Sequence, residues 1–167
     1  MKKLLLAVAA ITISAASVNA QDKEMKSGAT TFSIAANAGA GTTANFGLVA
    51  GGDLQVDIPA ATGLKITASA GYENFAYKYT VGTTTYKGHH SFIPLLAGAK
   101  FTLSEGLYGH AQLGYSISTV SGGKGGFTYA PSIGYMFSKN FDASVKYLGI
   151  STGGTLGAIL ARLAYNF

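Results

Sequence analysis

From residue 46 the chain alternates. Phe46, Leu48, Ala50, Gly52, Leu54, Val56 and Ile58 are apolar or glycine, and between them stand Gly47, Val49, Gly51, Asp53, Gln55 and Asp57. The alternation returns with Leu64, Ile66, Ala68, Ala70 and Tyr72 against Lys65, Thr67, Ser69, Gly71 and Glu73, and again over residues 93–103 and 107–118. A repeat of two belongs to a strand with unlike faces, whereas a helix repeats every 3.6 residues. Shorter or less regular versions cover residues 31–39, 127–137, 141–149 and 156–167. The pattern predicts eight strands, with lengths near the ~10 residues that a tilted strand needs to cross a bilayer.

The connections predicted between these strands alternate in length. Residues 59–63, 104–106 and 138–140 read as tight turns, and residues 40–45, 74–90, 119–126 and 150–155 as longer loops rich in Gly, Thr and Ser. Short turns at one end and longer loops at the other are the habit of outer-membrane barrels. Both chain ends then lie on the periplasmic side. Aromatic residues sort the same way. Phe32, Phe101, Phe137, Phe141, Tyr165 and Phe167 fall near the short turns, and Tyr72, Tyr115, Phe127, Tyr129 and Tyr147 near the long loops. Two aromatic girdles mark two membrane interfaces.

Composition supports a wall that faces lipid. Hydrophobic residues make up 48% of the chain and charged residues 11%, against about 25% charged in an ordinary soluble domain. The predicted strands contain no run of 18 apolar residues, so the spans are not helical. With no cysteine, disulfides cannot hold the fold together. A closed barrel accommodates apolar side chains outside while pairing every backbone group.

The first twenty residues read as an export signal. Lys2 and Lys3 precede an apolar run over residues 4–13, and Val18-Asn19-Ala20 offers small residues for cleavage before Gln21-Asp22-Lys23-Glu24. That run is half the ~20 residues of a spanning helix. The expected organisation is a cleaved signal at 1–20, a short periplasmic segment at 21–30 and a barrel at 31–167. With Lys2 and Lys3 removed, ten basic residues face seven acidic ones. The basic residues are scattered, and nothing points to nucleic acid.

The final strand ends Leu163-Ala164-Tyr165-Asn166-Phe167. This resembles the terminal signature that the assembly machinery of outer-membrane barrels reads, with Leu163, Tyr165 and Phe167 in its alternating positions. Phe92-Ile93-Pro94-Leu95-Leu96, followed by Lys100, resembles the Ile-Pro-Leu-Leu strand of small porin-like outer-membrane β-barrel domains; members often carry an acidic residue where this chain has Phe92. In size the chain is similar to the OmpA transmembrane domain and OmpX group. The resemblance implies an all-β, eight-stranded antiparallel up-and-down barrel in a bacterial outer membrane. It implies no activity.

Inward positions carry four acids, Asp53, Asp57, Glu73 and Asp142, and four bases, Lys65, Lys100, Lys146 and Arg162. Gln55, Tyr108, His110 and Gln112 fall between them. Eight-stranded barrels are just wide enough inside for side chains, and buried charges need partners. The balanced set predicts a polar, largely plugged lumen. A narrow solute channel is the alternative. His110 has no second His or Cys at ligand spacing and reads as a hydrogen-bonding residue, so no metal and no cofactor is expected.

The rim offers a second chemistry. His89 and Ser91 share a face, a His-x-Ser spacing that resembles membrane-edge lipid A deacylases. A nucleophilic Ser needs an adjacent base and an orienting acid, and Glu73 on the neighbouring strand points inward. Lys78, Lys87, His89 and His90 instead suit a weakly basic collar meeting lipopolysaccharide phosphates. Gly122-Gly123-Lys124-Gly125-Gly126 lacks the Ser/Thr and helix of a phosphate loop and reads as a surface loop. The expectation is a monomeric, non-enzymatic outer-membrane barrel with a structural or surface-interaction role. Its expected partners are outer-membrane lipid, lipopolysaccharide and the barrel-assembly machinery.

Overall fold

The computed structural model describes residues 29–167; the predicted signal at 1–20, and residues 21–28 of the predicted N-terminal segment, lie outside the described residues. Eight strands follow one another: β1 (Thr31–Gly41), β2 (Phe46–Ala61), β3 (Leu64–Val81), β4 (Thr84–Thr102), β5 (Leu107–Ser118), β6 (Gly126–Met136), β7 (Phe141–Ser151) and β8 (Thr155–Asn166). Each pairs antiparallel with its neighbour in sequence, and β1 also pairs with β8, as in Ala36↔Leu163. The ring is closed, so the wall leaves no unpaired sheet edge to hydrocarbon.

The predicted faces are those observed over most of the wall. Leu54, Ile66, Leu113, Ile133, Val145, Ile159 and Leu163 are exposed on the outside, while Asp57, Thr67, Lys100, Asp142 and Arg162 are buried inside. In water such an exterior would be costly; against acyl chains it is the favourable arrangement. Near the chain termini, Phe137, Phe141, Tyr165 and Phe167 form a contiguous aromatic row, with ring centroids 5.0–6.2 Å apart. Phe167 is tied down by its backbone N–H, which donates to the Phe32 carbonyl at 2.9 Å.

Two departures matter for function. The loop expected at residues 74–90 is instead a paired hairpin: β3 and β4 stay in register from Glu73↔Phe92 to Val81↔Thr84. Its tip, Gly82–Thr83, places Gly82 at φ 61°, a left-handed conformation that lacks a steric penalty only for glycine. The sequence signal was present in the Tyr-, Thr- and Val-rich run around Gly82, but the pattern sought was apolar outward. Here the aromatic side chains Phe75, Tyr77 and Tyr79 occupy the inward parity.

The second departure is Phe46. It belongs by parity to the outward series, yet it packs edge-on against Phe75 at 6.2 Å and joins the interior cluster. A β-bulge between Phe46 and Val49 inserts one residue opposite Tyr77 and Phe75. One extra residue swaps the face of everything beyond it. Other boundaries moved less: β1 runs on to Gly41, β2 to Ala61 and β7 to Ser151.

Candidate functional site

The interior has two storeys, and β2, β3, β7 and β8 change character at about the same depth. On β7, the inward residues Asp142, Ser144 and Lys146 give way to Leu148 and Ile150; on β8, Asn166 and Arg162 give way to Leu160 and Leu156. On β2, Asp57, Gln55 and Asp53 lead to Val49, and on β3, Thr67 and Glu73 lead to Phe75. The storey beside the chain termini is polar. The storey beside the hairpin is mainly apolar, with Thr128 and Ser116 hydrogen-bonded to each other within it.

In the terminal storey, Arg162 grips Asp53. Its Nη2 donates to Oδ1 at 2.8 Å and its Nε lies 3.1 and 3.2 Å from the two carboxylate oxygens. Lys146 stands 3.5 Å from Asp53 and 3.7 Å from Glu73, and Arg162 lies 3.6 Å from Asp142. Asp142 also accepts from the Tyr108 hydroxyl at 2.5 Å and from Asn166 at 2.9 Å. On the neighbouring strands, Asp57 accepts from Lys100 at 2.5 Å and from Gln55 at 2.6 Å, and Lys100 lies 4.8 Å from the centroid of the Tyr108 ring. His110 pairs with Thr67 at 2.8 Å, and Gln112 donates to Ser69 at 2.9 Å.

Eight of the nine residues named for this lumen therefore lie in one hydrogen-bonded storey. Lys65 does not join them: it sits near the β2–β3 turn, half-buried, and makes none of the ion pairs. Asn37 was missed. It donates to Asp53 at 3.0 Å and to Glu73 at 2.6 Å, bridging two carboxylates across β1, β2 and β3. Its inward parity was readable from Phe32, Ile34, Ala36 and Ala38, but an uncharged side chain did not stand out. Glu73 marks the seam: it is 1% exposed, and its Oε2 has no hydrogen-bond partner.

Above the seam, Val49, Phe75, Phe92, Leu148, Ile150, Leu156 and Leu160 fill the bore, with Phe46 folded over them. Phe75 and Phe92 meet edge to face at 5.8 Å. Tyrosines close the remaining gaps by lying over glycines on the next strand. In this storey a Cβ at Gly88 would run into the Tyr77 ring, and in the terminal storey one at Gly134 would run into Tyr108. Among the described residues, no three His, Cys, Asp or Glu side chains converge as metal ligands.

At the rim the predicted His-x-Ser pair is present on the outer face, but its contacts are not those of a nucleophile and base. His89 Nδ1 bonds to Asn74 Oδ1 at 3.0 Å. Ser91 Oγ accepts from Asn74 Nδ2 at 2.7 Å and from the Tyr72 hydroxyl at 2.9 Å. Asn74 separates the imidazole from the hydroxyl, and no carboxylate touches His89. His90 lies on the other face, stacked on Phe92 at 4.7 Å and 3.2 Å from Ser118 Oγ.

No family profile and no curated protein matches the sequence. Solved structures do. The attachment invasion locus protein Ail of Yersinia pestis, in a phospholipid bilayer nanodisc, aligns with a TM-score of 0.62 at 15% identity over 83% of this chain and 100% of that one. The N-terminal β-barrel domain of Pseudomonas aeruginosa OprF aligns with a TM-score of 0.53 at 17% identity over 82% and 97%. A designed transmembrane β-barrel gives 0.56 at 14% over 86% and 100%. The fold is the small outer-membrane β-barrel, and the apolar belt sets it across a bilayer.

Proposed function

We propose that this chain is a monomeric, non-enzymatic outer-membrane barrel whose lumen is closed and whose work is done at its surface. The observation that carries the reading is the double filling of the bore. Ion pairs occupy one storey and an aliphatic and aromatic plug occupies the other, so a solute would have to displace both. Residues 1–20 serve as the export signal, the hairpin end faces outward, and Leu163, Tyr165 and Phe167 present the assembly signature.

Charge supports a surface role. Among the described residues, Asp53, Asp57, Glu73 and Asp142 line the interior, and Glu105 sits in a turn at the terminal end. The hairpin end carries exposed Lys78, Lys87 and Lys124 and no acid. Such an end attracts polyanions, lipopolysaccharide among them. Ail, similar in fold, has been solved in complex with the heparin analogue sucrose octasulfate. Against hydrolysis stands the intervening Asn74, which leaves Ser91 without a base.

Planar-bilayer recording of the refolded barrel tests the closed lumen. Silence, broken only by rare openings, is the expected trace. Steady ohmic conductance whose ion preference changes in Arg162→Ala would replace this reading with a channel.

A further inference from the structure

We infer that the β3–β4 wall carries a dedicated site for one phosphorylated acyl lipid, its headgroup held by Lys78, Lys87 and His89 and one chain lying in the groove beneath. The inference rests on the membrane-spanning reading above and goes beyond it by naming one wall and one ligand class.

The headgroup end is built from four observations. Lys78 and Lys87 are direct cross-strand partners, both exposed, and like charges placed opposite each other repel. Among the described residues, no carboxylate stands near to relieve them. An anion bound between them would. One step toward the membrane, Asn74 donates to Ser91 and accepts from His89. With Nδ1–H committed to Asn74, the second imidazole nitrogen of His89 donates to a phosphate oxygen only when the ring is the imidazolium. Ser91, 7% exposed, accepts from Tyr72 and Asn74 and so holds Asn74 in place beneath His89. Lys78, Lys87 and His89 share the outward face of the hairpin, the face that continues downward as the lipid-facing wall.

The chain end is a groove of about 520 Å³ on that same wall. Its floor is Ala68, Ala70 and Ala97, which neighbour one another across β3 and β4. Leu54 and Leu113, 61% and 57% exposed, are the partners of Ala70 and Ala97 on the flanking strands and form the banks. Read from the hairpin down, the wall is cationic, then polar and uncharged, then apolar, which is the profile of an anionic amphiphile. A sulfated or phosphorylated polymer would match the lysines but has no use for the groove. The opposite wall supplies a control: a groove of about 670 Å³ over Ala36, Ala143 and Ala161 has Tyr147 and Ile159 above it and no cation.

The test is native mass spectrometry of the full refolded barrel, titrated separately with diacyl phosphatidic acid, diacyl phosphatidylcholine and soluble inorganic polyphosphate. One phosphatidic acid is expected to be retained in preference to phosphatidylcholine. The double variant Lys78→Gln/Lys87→Gln should weaken that retention about thirtyfold, from the contribution of each lysine near a charged lipid surface. Ala97→Phe, which fills the floor, should weaken phosphatidic acid and leave polyphosphate unchanged; Ala161→Phe on the opposite wall should alter neither. Heat-modifiable migration confirms that each variant is folded, and Ala97→Leu stands in if the Phe variant is not. Equal retention of the two lipids would overturn the site, as would equal damage from Ala97→Phe and Ala161→Phe. So would polyphosphate bound as tightly as phosphatidic acid. Conductance, which tests the closed lumen, is independent of all three titrations, so the two readings fail separately.

Discussion

The two storeys of the lumen are built on the same eight strands, by the same alternation, in a bore of the same width, yet they hold the barrel together by different physics. Beside the termini, Arg162, Asp53, Lys146 and Asp142 tie β2, β7 and β8 through directional contacts. Beside the hairpin, Phe75, Phe92, Leu148 and Leu160 tie the strands by volume alone. The difference teaches what each storey does when damaged. A polar storey loses a partner and strands a charge. An apolar storey loses volume and is left with a hole.

The largest effect is therefore expected at Arg162. Arg162→Ala leaves Asp53 and Asp142 inside the bore with Lys146 as the remaining nearby cation. Removing one member of a buried pair costs about 3–5 kcal/mol, read as a lower unfolding midpoint in lipid. A midpoint unchanged within error would mean that water reaches the terminal storey, and the contrast between storeys would collapse.

Phe75→Ala comes next, at about 3 kcal/mol, the low end for a buried Phe, because Phe46 and Phe92 flank the hole and can lean in. The sharper readout is electrical. If the hairpin storey is the seal, this variant should conduct in planar bilayers while Arg162→Ala, with the seal intact, should not. The reverse result would move the barrier to the ion pairs.

Tyr108→Phe sits between the two physics. It keeps the ring that covers Gly134 and deletes the hydroxyl that donates to Asp142. Loss of a hydrogen bond to a charged acceptor amounts to about 1.5–3 kcal/mol. Gly134→Ala should be worse than Tyr108→Phe, since a new Cβ must push the ring itself aside. Thermal midpoints of the two variants check the order.

The wall was legible in the sequence because lipid and lumen impose opposite demands on successive residues, and Leu54, Ala68, Leu113 and Leu163 answer them without exception. Phe46 was not legible, since a bulge that inverts parity depends on how β2 meets β3 and leaves no mark in β2 alone. The hairpin was hidden for another reason: above the bilayer the outer face turns polar, with Asn74, Lys78 and His89, and the apolar-out rule ceases to apply. The inward acids and bases were readable as a set, but their pairing was not. Asp53 takes its cations from β7 and β8, about a hundred residues along the chain, and only closure of the ring brings them together. The apolar plug was in view at Val49, Leu96, Leu148 and Leu160, inward by parity, yet a lumen expected to be polar left no role for them.

Lys65 gives the smallest effect and the finest test. By alternation alone it is equivalent to Lys100: both are lysines on inward positions, and the two are cross-strand partners on β3 and β4. Depth separates them. Lys100 reaches Asp57 at 2.5 Å and is 7% exposed, whereas Lys65, at the edge of the storey by the turn, makes no ion pair and faces another lysine. Removing it deletes a repulsion and strands nothing. Lys65→Ala should therefore shift the unfolding free energy by no more than about 0.5 kcal/mol, with the sign toward stability. Lys100→Ala should cost several times that, because Asp57 would be left with Gln55 alone. Paired unfolding curves of the two variants, taken at low and high salt, decide the matter. Salt should erase the small gain in Lys65→Ala, since Lys65 is half-buried at the open end of the storey and still screened, and leave the loss in Lys100→Ala largely intact, since a buried pair is screened much less. Equal losses from the two lysines would show that the polar storey extends to the turn, with Lys65 as a working member of it.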